Sequence, residues 1–268
     1  MDDEQVGGNK VTKSNTGIPR LLEGRLAFIT GAGQGNGRAL ALGLAAAGAR
    51  VIVTDMNAAS VAETAELVRK AGGESHSDTL NVTDSAACKA MAERVGREIG
   101  TVDLLVNNAG IIIRENSESP NAEKNWNKTM DVNVNGTFNV THAFLPALKA
   151  SKGSIVNVAS IAAYAGQGGS LGYSPSKGAI KMLTQSWAAE FAQYGIRVNA
   201  LAPGVIATPM TAATREDPEK LQKFTARIPM GRVGQPDELV GPVVFLASHM
   251  STYVTGVTLP IDGGFLAA

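Results

Sequence analysis

Tyr173 and Lys177 lie four residues apart in Tyr-Ser-Pro-Ser-Lys, at the head of a stretch, 172 to 194, whose composition predicts a helix. On a helix that spacing puts both side chains on one face, one turn apart. Pro175 falls in the first turn, where its missing N–H costs little. A lysine ammonium beside a phenol favours the phenolate and draws a group that ordinarily titrates at about pH 10 toward the range useful for proton transfer. The pair is therefore a candidate general acid/base. Tyrosine and lysine four apart are common on amphipathic helices, so the reading depends on their surroundings. Ser160 follows the apolar run 154 to 158, at the carboxyl end of a predicted strand, where open α/β sheets bind their ligands. Asn107-Asn108-Ala109-Gly110 closes another such run at the same edge. Asn133, in Val132-Asn133-Val134-Asn135-Gly136, sits in an otherwise apolar helical stretch, which assigns one of these amides a polar task inside.

A second constellation suits phosphate. The first apolar run leads into Thr30-Gly31-Ala32-Gly33-Gln34-Gly35-Asn36-Gly37-Arg38 and then a helix. Glycine serves where φ must be positive or where a Cβ would hold backbone away from a ligand, and a helix N-terminus adds free N–H donors. The pattern is TGxxxGxG, with Gly31, Gly35 and Gly37 as its glycines. It is neither GxGxxG nor a Walker loop, because Asn36 and Arg38 interrupt the one and no Gly-Lys-Ser/Thr follows for the other. Asp55 ends the second apolar run, 18 residues beyond Gly37, close to the distance at which an acid grips a ribose 2′-hydroxyl. A carboxylate there repels a 2′-phosphate, which favours NAD over NADP. The alternative is that Asp55 caps the turn before Met56-Asn57. Arg38 either approaches a phosphate or faces solvent.

These residues need a scaffold, and the chain supplies one by alternation. Predicted strands are 26–30, 51–55, 104–107, 154–158, 197–201 and 257–260, with a weaker one at 75–80. Most are continuous apolar runs, the pattern of strands buried on both faces of a parallel sheet. Helical stretches at 37–47, 58–71, 84–99, 122–150, 172–194 and 236–248 lie between them. Strand then helix, repeated, predicts right-handed βαβ units and an α/β fold: a single-domain Rossmann-type doubly wound parallel sheet of about seven strands with helices on both faces. The domain is expected over residues 23–268, after a mobile N-terminal extension at 1–22 that offers little to bury. The irregular stretch 202–235, with four prolines, is expected to hold a substrate lid at about 205–232.

Composition narrows the function. With 24 Lys plus Arg against 24 Asp plus Glu, no basic field exists to hold a nucleic acid. The longest run without a polar side chain, Ala39 to Ala49, spans eleven residues, well short of the roughly 20 that cross a bilayer. A single cysteine, Cys88, and three scattered histidines make neither an internal disulfide nor zinc-ligand spacing, so no metal is expected and a cytoplasmic location is.

Over residues 25 to 265 the chain resembles the short-chain dehydrogenase/reductase family. The resemblance rests on TGAGQGNG at 30–37, NNAG at 107–110, VNVNGT at 132–137, Ser160 thirteen residues before YSPSK at 173–177, PGVIATPM at 203–210 and PIDGG at 260–264. It implies that Tyr173 is the general acid/base, that Lys177 lowers its pKa and holds the nicotinamide ribose, that Ser160 orients the substrate oxygen and that Asn133 supports a proton-relay water. It also implies a cofactor cleft that includes Gln34, Asn81, Val82, Pro203 and Gly204. Asn107, Ala109 and Gly110 would line its adenosine side, and Ile206 and Thr208 would meet the nicotinamide carboxamide. Three residues depart from the family pattern. Asn36 replaces Ile or Leu beside the nicotinamide half. Asn81 replaces an Asp that receives the adenine amine, a task its carbonyl oxygen can share. Gln34 stands where NADP-preferring relatives carry a base, in agreement with Asp55. The family further implies a homotetramer.

The expected activity is NAD-dependent hydride transfer to or from a secondary alcohol or ketone, such as a sugar, polyol or sugar acid. Ala162, Tyr164, Gln167, Gly168 and Met210 are expected around the substrate, and Arg114 is the one charge expected to face it, its alternative being a solvated surface arginine. Two rival readings are an NADPH-dependent 3-oxoacyl-thioester reductase and a non-enzymatic dinucleotide-binding protein. Asp55 and Gln34 oppose the first, and the joint presence of Asn133, Ser160, Tyr173 and Lys177 opposes the second.

Overall fold

The computed structural model describes residues 20–268. Within them the apolar runs form one seven-stranded sheet: β1 (Leu26–Thr30), β2 (Arg50–Asp55), β3 (Ser75–Thr79), β4 (Leu104–Asn107), β5 (Ser154–Val158), β6 (Arg197–Pro203) and β7 (Thr258–Ile261). All neighbours pair in parallel, in the order β3-β2-β1-β4-β5-β6-β7. Period-two alternation divides the core. Ala27 and Ile29 of β1 point into one apolar layer with Leu40, Leu44 and Val243, while Leu26 and Phe28 point into the other with Phe144, Leu148 and Phe191. The first layer is closed by α1 (Gly35–Ala46), α2 (Ala58–Lys70) and, later in the chain, a helix at Val240–Ala247. The second is closed by α3 (Ser85–Glu98) and by helices from the middle of the chain.

Strand order reverses between β1 and β4, since the chain steps outward to β2 and β3 and then returns to the other side of β1. The loops leaving β1 and β4 diverge there, and the opening they leave is where doubly wound sheets bind ligands.

Several boundaries differ from the sequence expectation. The single helix expected over 122–150 is α4 (Ala122–Met130), a π-helical turn (Asp131–Asn135) and α5 (Gly136–Ser151). The wider turn carries Asn133 into the interior, where it is 1% exposed. After α6 (Tyr173–Phe191), the stretch expected to be irregular folds into a 3₁₀ turn (Pro209–Thr211) and two short helices, α7 (Ala212–Arg215) and α8 (Pro218–Thr225). The helix expected at 236–248 divides into a 3₁₀ turn (Pro236–Leu239) and α9 (Val240–Ala247). The first 19 residues of the expected N-terminal extension lie outside the described residues. Leu22, assigned to that extension, belongs to the fold: it is fully buried and its N–H donates to the Ala47 carbonyl at 2.9 Å. Among the described residues no helix is long and apolar enough to cross a membrane.

Candidate active site

A cleft of about 320 Å³ opens at the carboxyl edge of the sheet, over the switch point. Its floor begins with the loop after β1. Gly31 has φ +62°, and a Cβ there would lie 2.8 Å from the Ala109 Cα, so the β1 and β4 exits can approach only with glycine at this position. At Gly37 a Cβ would fall 2.1 Å from the Gly31 carbonyl oxygen, which explains the last glycine of the pattern. Gln34, the N-cap of α1, makes no side-chain cap, and the first turn carries no acid. The free first-turn N–H groups and the positive end of the helix dipole are therefore left for an anion.

Asp55 stands on the cleft wall at the end of β2. Its Oδ2 accepts the Gly33 N–H at 3.0 Å and its Oδ1 accepts the Asn57 N–H at 3.1 Å. Both sequence alternatives therefore hold at once: the carboxylate fastens the turn, and each oxygen retains a lone pair for a hydroxyl donor. Arg38 neither faces solvent freely nor reaches into the cleft. Its guanidinium donates to the Gly33 carbonyl at 2.7 Å, to Glu63 at 2.6 Å and to Thr64 Oγ1 at 3.0 Å.

At the other end of the cleft stand Ser160, Tyr173 and Lys177. Ser160 caps the 3₁₀ turn after β5, its Oγ accepting the Ala162 N–H at 3.1 Å. Lys177 is 4% exposed, its Nζ donates to the Val158 carbonyl at 2.7 Å, and burial holds its pKa down at about 8. Burial pushes the Tyr173 phenol above its ordinary range, against the pull of a hydrogen bond with Ser160 and the positive charge of Arg114. The lowering expected from Lys177 is not what acts on the phenol here. The ammonium sits 5.8 Å from the ring centroid and is committed to the Val158 carbonyl, so Ser160 and Arg114 are the groups that favour phenolate.

Of the other predicted residues, Gly35, Asn36, Asn81, Val82, Ala109, Gly110, Pro203, Gly204, Ile206, Thr208 and Met210 all line the cleft. Asn107 does not. As the last residue of β4 its side chain turns toward α5 and β5, where Nδ2 donates to Thr141 Oγ1 and Asn157 Oδ1, both at 2.9 Å. Asn133 is also behind the wall, bonded to Ile111 and Ser176. Asn81 lines the cleft, but its carbonyl oxygen already accepts the N–H and hydroxyl of Thr83 at 3.1 and 2.9 Å, so it is not free for an adenine amine.

The substrate candidates divide. Arg114 is exposed and does not itself line the cleft, but it donates to the carbonyl of Met210, which does, at 3.3 Å. Ala162 and Gln167 are not among the lining residues: Ala162 is buried under Ser160, and the Gln167 N–H is tied to Ser174 Oγ at 3.0 Å. Tyr164 turns to β7, its hydroxyl on the Thr258 carbonyl and its ring under Lys181. Sequence reasoning passed over Asn108, whose Nδ2 donates to the carbonyls of Thr30 and Gly31 at 3.0 and 2.8 Å and so joins the two diverging loops. Its adjacency to Asn107 in NNAG was the available signal.

The glycine cradle, uncapped helix start and carboxylate fit a dinucleotide, and the Ser-Tyr-Lys end fits proton transfer at a carbinol. Comparison with known proteins points the same way. A family model described as enoyl-(acyl carrier protein) reductase matches residues 31–266. The 2-dehydro-3-deoxy-D-gluconate 5-dehydrogenase of Bacillus subtilis is 43% identical over 249 residues, covering 92% of this chain and 96% of that protein. The 3-oxoacyl-[acyl-carrier-protein] reductase of Thermotoga maritima is 41% identical over 247 residues, covering 91% and 99%. The gluconate 5-dehydrogenase of Burkholderia cenocepacia, solved in complex with NADP and tartrate, superposes with a TM-score of 0.88 at 38% identity, covering 93% and 98%.

Proposed function

This chain belongs to the short-chain dehydrogenase/reductase family, and on that premise we propose that it oxidises a secondary alcohol of a sugar acid, with NAD as the preferred hydride acceptor. Oxidoreduction at CH–OH is the chemistry its relatives share. The sugar-acid reading is carried by Arg114, an exposed cation that is bonded to the carbonyl of the cleft residue Met210 and whose charge reaches Tyr173. A carboxylate held there would leave a carbinol of the same molecule within reach of Ser160 and Tyr173.

When bound, a nicotinamide dinucleotide supplies the hydride acceptor at its C4. The protein's own residues do the rest. Ser160 holds the substrate oxygen by hydrogen bonding. Tyr173 as phenolate takes the hydroxyl proton, and in the reverse direction returns it to a carbonyl. The buried Lys177 is fixed by Val158 in reach of a ribose, and Asn133 braces the wall between them. The helix start at Gly35 and Asn36 would receive the pyrophosphate. Preorganised donors at Ser160 and Tyr173 stabilise the developing alkoxide.

Preference for NAD rests on Asp55. A 2′-phosphate would meet its carboxylate, and the nearby Arg38 is occupied by Gly33, Thr64 and Glu63. The Burkholderia relative was solved with NADP; the preference proposed for this chain rests on Asp55 alone. Reduction of a 3-oxoacyl thioester, as the Thermotoga relative is named for, is the same chemistry run backward. Arg114 favours the sugar acid over it.

Arg114→Ala tests the substrate. The Michaelis constant for gluconate-type anions should rise about tenfold or more, the cost of losing one charge-assisted hydrogen bond, with neutral polyols little changed. Equal effects on anionic and neutral substrates would remove Arg114 from the site.

In this reading residues 205–232 are the lid and 23–268 form the catalytic domain. Phe138 on α5 and Met182 on α6 are 49% and 56% exposed, and Tyr253 near β7 is fully exposed, which supports burial of both faces in a homotetramer. Sedimentation velocity should give a tetramer, and a stable monomer at micromolar concentration would contradict it. The buried, unpaired Cys88 supports a reducing, cytoplasmic setting.

A further inference from the structure

Ser176 is fully buried on α6, one helical turn from Tyr173. Its hydroxyl donates to the Tyr173 carbonyl at 2.7 Å and accepts from Asn133 Nδ2 at 2.9 Å. Asn133 in turn grips the loop after β4 with both ends of its amide: Oδ1 accepts the Ile111 N–H at 2.8 Å and Nδ2 donates to the Ile111 carbonyl at 3.0 Å. Ile111 lies three residues before Arg114. One unbroken run of hydrogen bonds therefore joins the turn that bears the phenol, the π-helical turn and the loop that bears the arginine.

From this geometry we propose that Ser176 is a positioning residue, which fixes the first turn of α6 so that Tyr173 meets Ser160 and keeps that turn in register with the Arg114 loop. This rests on the proposed alcohol oxidation. A serine inside a helix gains little for helix stability and usually returns its hydroxyl to the turn before it. Here the same hydroxyl has a second partner 43 residues away, inside a wall where no water is needed to complete it. Alanine would leave Asn133 with one amide hydrogen unpaired in a buried place. The Tyr173 turn would then lose its only side-chain link to Asn133. The charge that bears on the phenol, Arg114 from the facing loop, would remain, as would Lys177 in the next turn with its ammonium on the Val158 carbonyl.

The consequence is specific. The Ser160 hydrogen bond favours the phenolate, so a loosened turn weakens it and raises the pH at which Tyr173 becomes competent. In Ser176→Ala the acid limb of the pH profile for alcohol oxidation should move to higher pH. Turnover at about pH 7 should fall about tenfold, the effect of one hydrogen bond's worth of barrier. The dissociation constant for NADH, read by fluorescence, should stay within about twofold, since Ser176 itself does not line the cleft. Hydrogen exchange at Ile111 should quicken in the protein without cofactor. Ser176→Cys keeps the volume with a far weaker donor and acceptor and should behave alike, which serves where alanine lowers the yield of folded protein. An unmoved acid limb overturns the proposal, whether or not exchange at Ile111 rises, because the serine is then a structural tie alone. A wild-type chain that oxidises no alcohol overturns the functional reading and this inference together, whereas an active wild type with an unaffected variant overturns only this one.

Discussion

Tyr173→Phe is expected to lower turnover by about 10²–10⁴-fold, the range that a positioned general acid/base contributes, while leaving the fold and cofactor binding nearly intact. The ring fills the same space without its oxygen, so packing against Lys177 and the cleft wall is retained. What disappears is the only group in the cleft placed to accept the carbinol proton beside Ser160. Lys177 cannot substitute. Its Nζ is bound to the Val158 carbonyl and, with a pKa of about 8, it is largely an ammonium at neutral pH and a poor base. Circular dichroism, NADH binding and turnover measured on one preparation separate these effects. A phenylalanine variant with a near-normal rate would remove Tyr173 from the mechanism.

Lys177→Met is expected to abolish most activity and to stabilise the protein at neutral pH. The sign follows from the direction of the shift. Burial lowers the lysine pKa from 10.5 to about 8, so below about pH 8 the folded chain carries a buried ammonium at a cost. Between about pH 8 and 10.5 the unfolded chain binds more protons than the folded one, and wild-type stability therefore rises with pH across that window. The cost at pH 7 corresponds to about 3 kcal/mol, offset by about 1–2 kcal/mol for the hydrogen bond to Val158 that methionine cannot make. Methionine should thus be more stable by ~1 kcal/mol at pH 7. Above about pH 10 that advantage should vanish. Thermal unfolding of both proteins from pH 6 to 10 checks this, and a methionine variant that is less stable at every pH would contradict it. An expensive ammonium in the wild type has its rationale in the proposed function, in which it would be the donor to a ribose beside the phenol.

The parts legible in the sequence were those written in local pattern. Continuous apolar runs announced buried parallel strands, and the Gly31, Gly35 and Gly37 spacing announced the tight turn from β1 into α1, because both depend on neighbours in the chain. The i,i+4 spacing of Tyr173 and Lys177 needed only a helix to be meaningful. What escaped depended on side-chain direction and distant partners. Asn107 and Asn108 look equivalent in NNAG, yet one closes β4 and turns into the polar contacts of α5 and β5, while the other begins the loop and ties it to β1. The π-helical turn at Asn133 has no residue signature, since its wider ladder is set by the bonds that Asn133 makes to Ile111 and Ser176. Ser176 reads as a neutral helix residue until its partner across the wall is seen. Asn81 was assigned by analogy to an aspartate, but a nearby Thr83 satisfies its oxygen first. Lys177 was expected to act on Tyr173 by proximity, whereas its bond to Val158 and the charge of Arg114 redistribute that role.

The central claim is an NAD-preferring oxidation of a sugar acid at the Ser160–Tyr173 end of the cleft. Its most direct test is the initial rate of the wild-type protein on a panel of sugar acids, neutral polyols and simple secondary alcohols, with NAD⁺ and NADP⁺ in parallel. The expected result is a kcat/KM for a sugar acid at least about tenfold above that for any neutral analogue and, on that substrate, about tenfold higher with NAD⁺ than with NADP⁺. Faster turnover of neutral alcohols than of every anion, or a preference for NADP⁺, would contradict it.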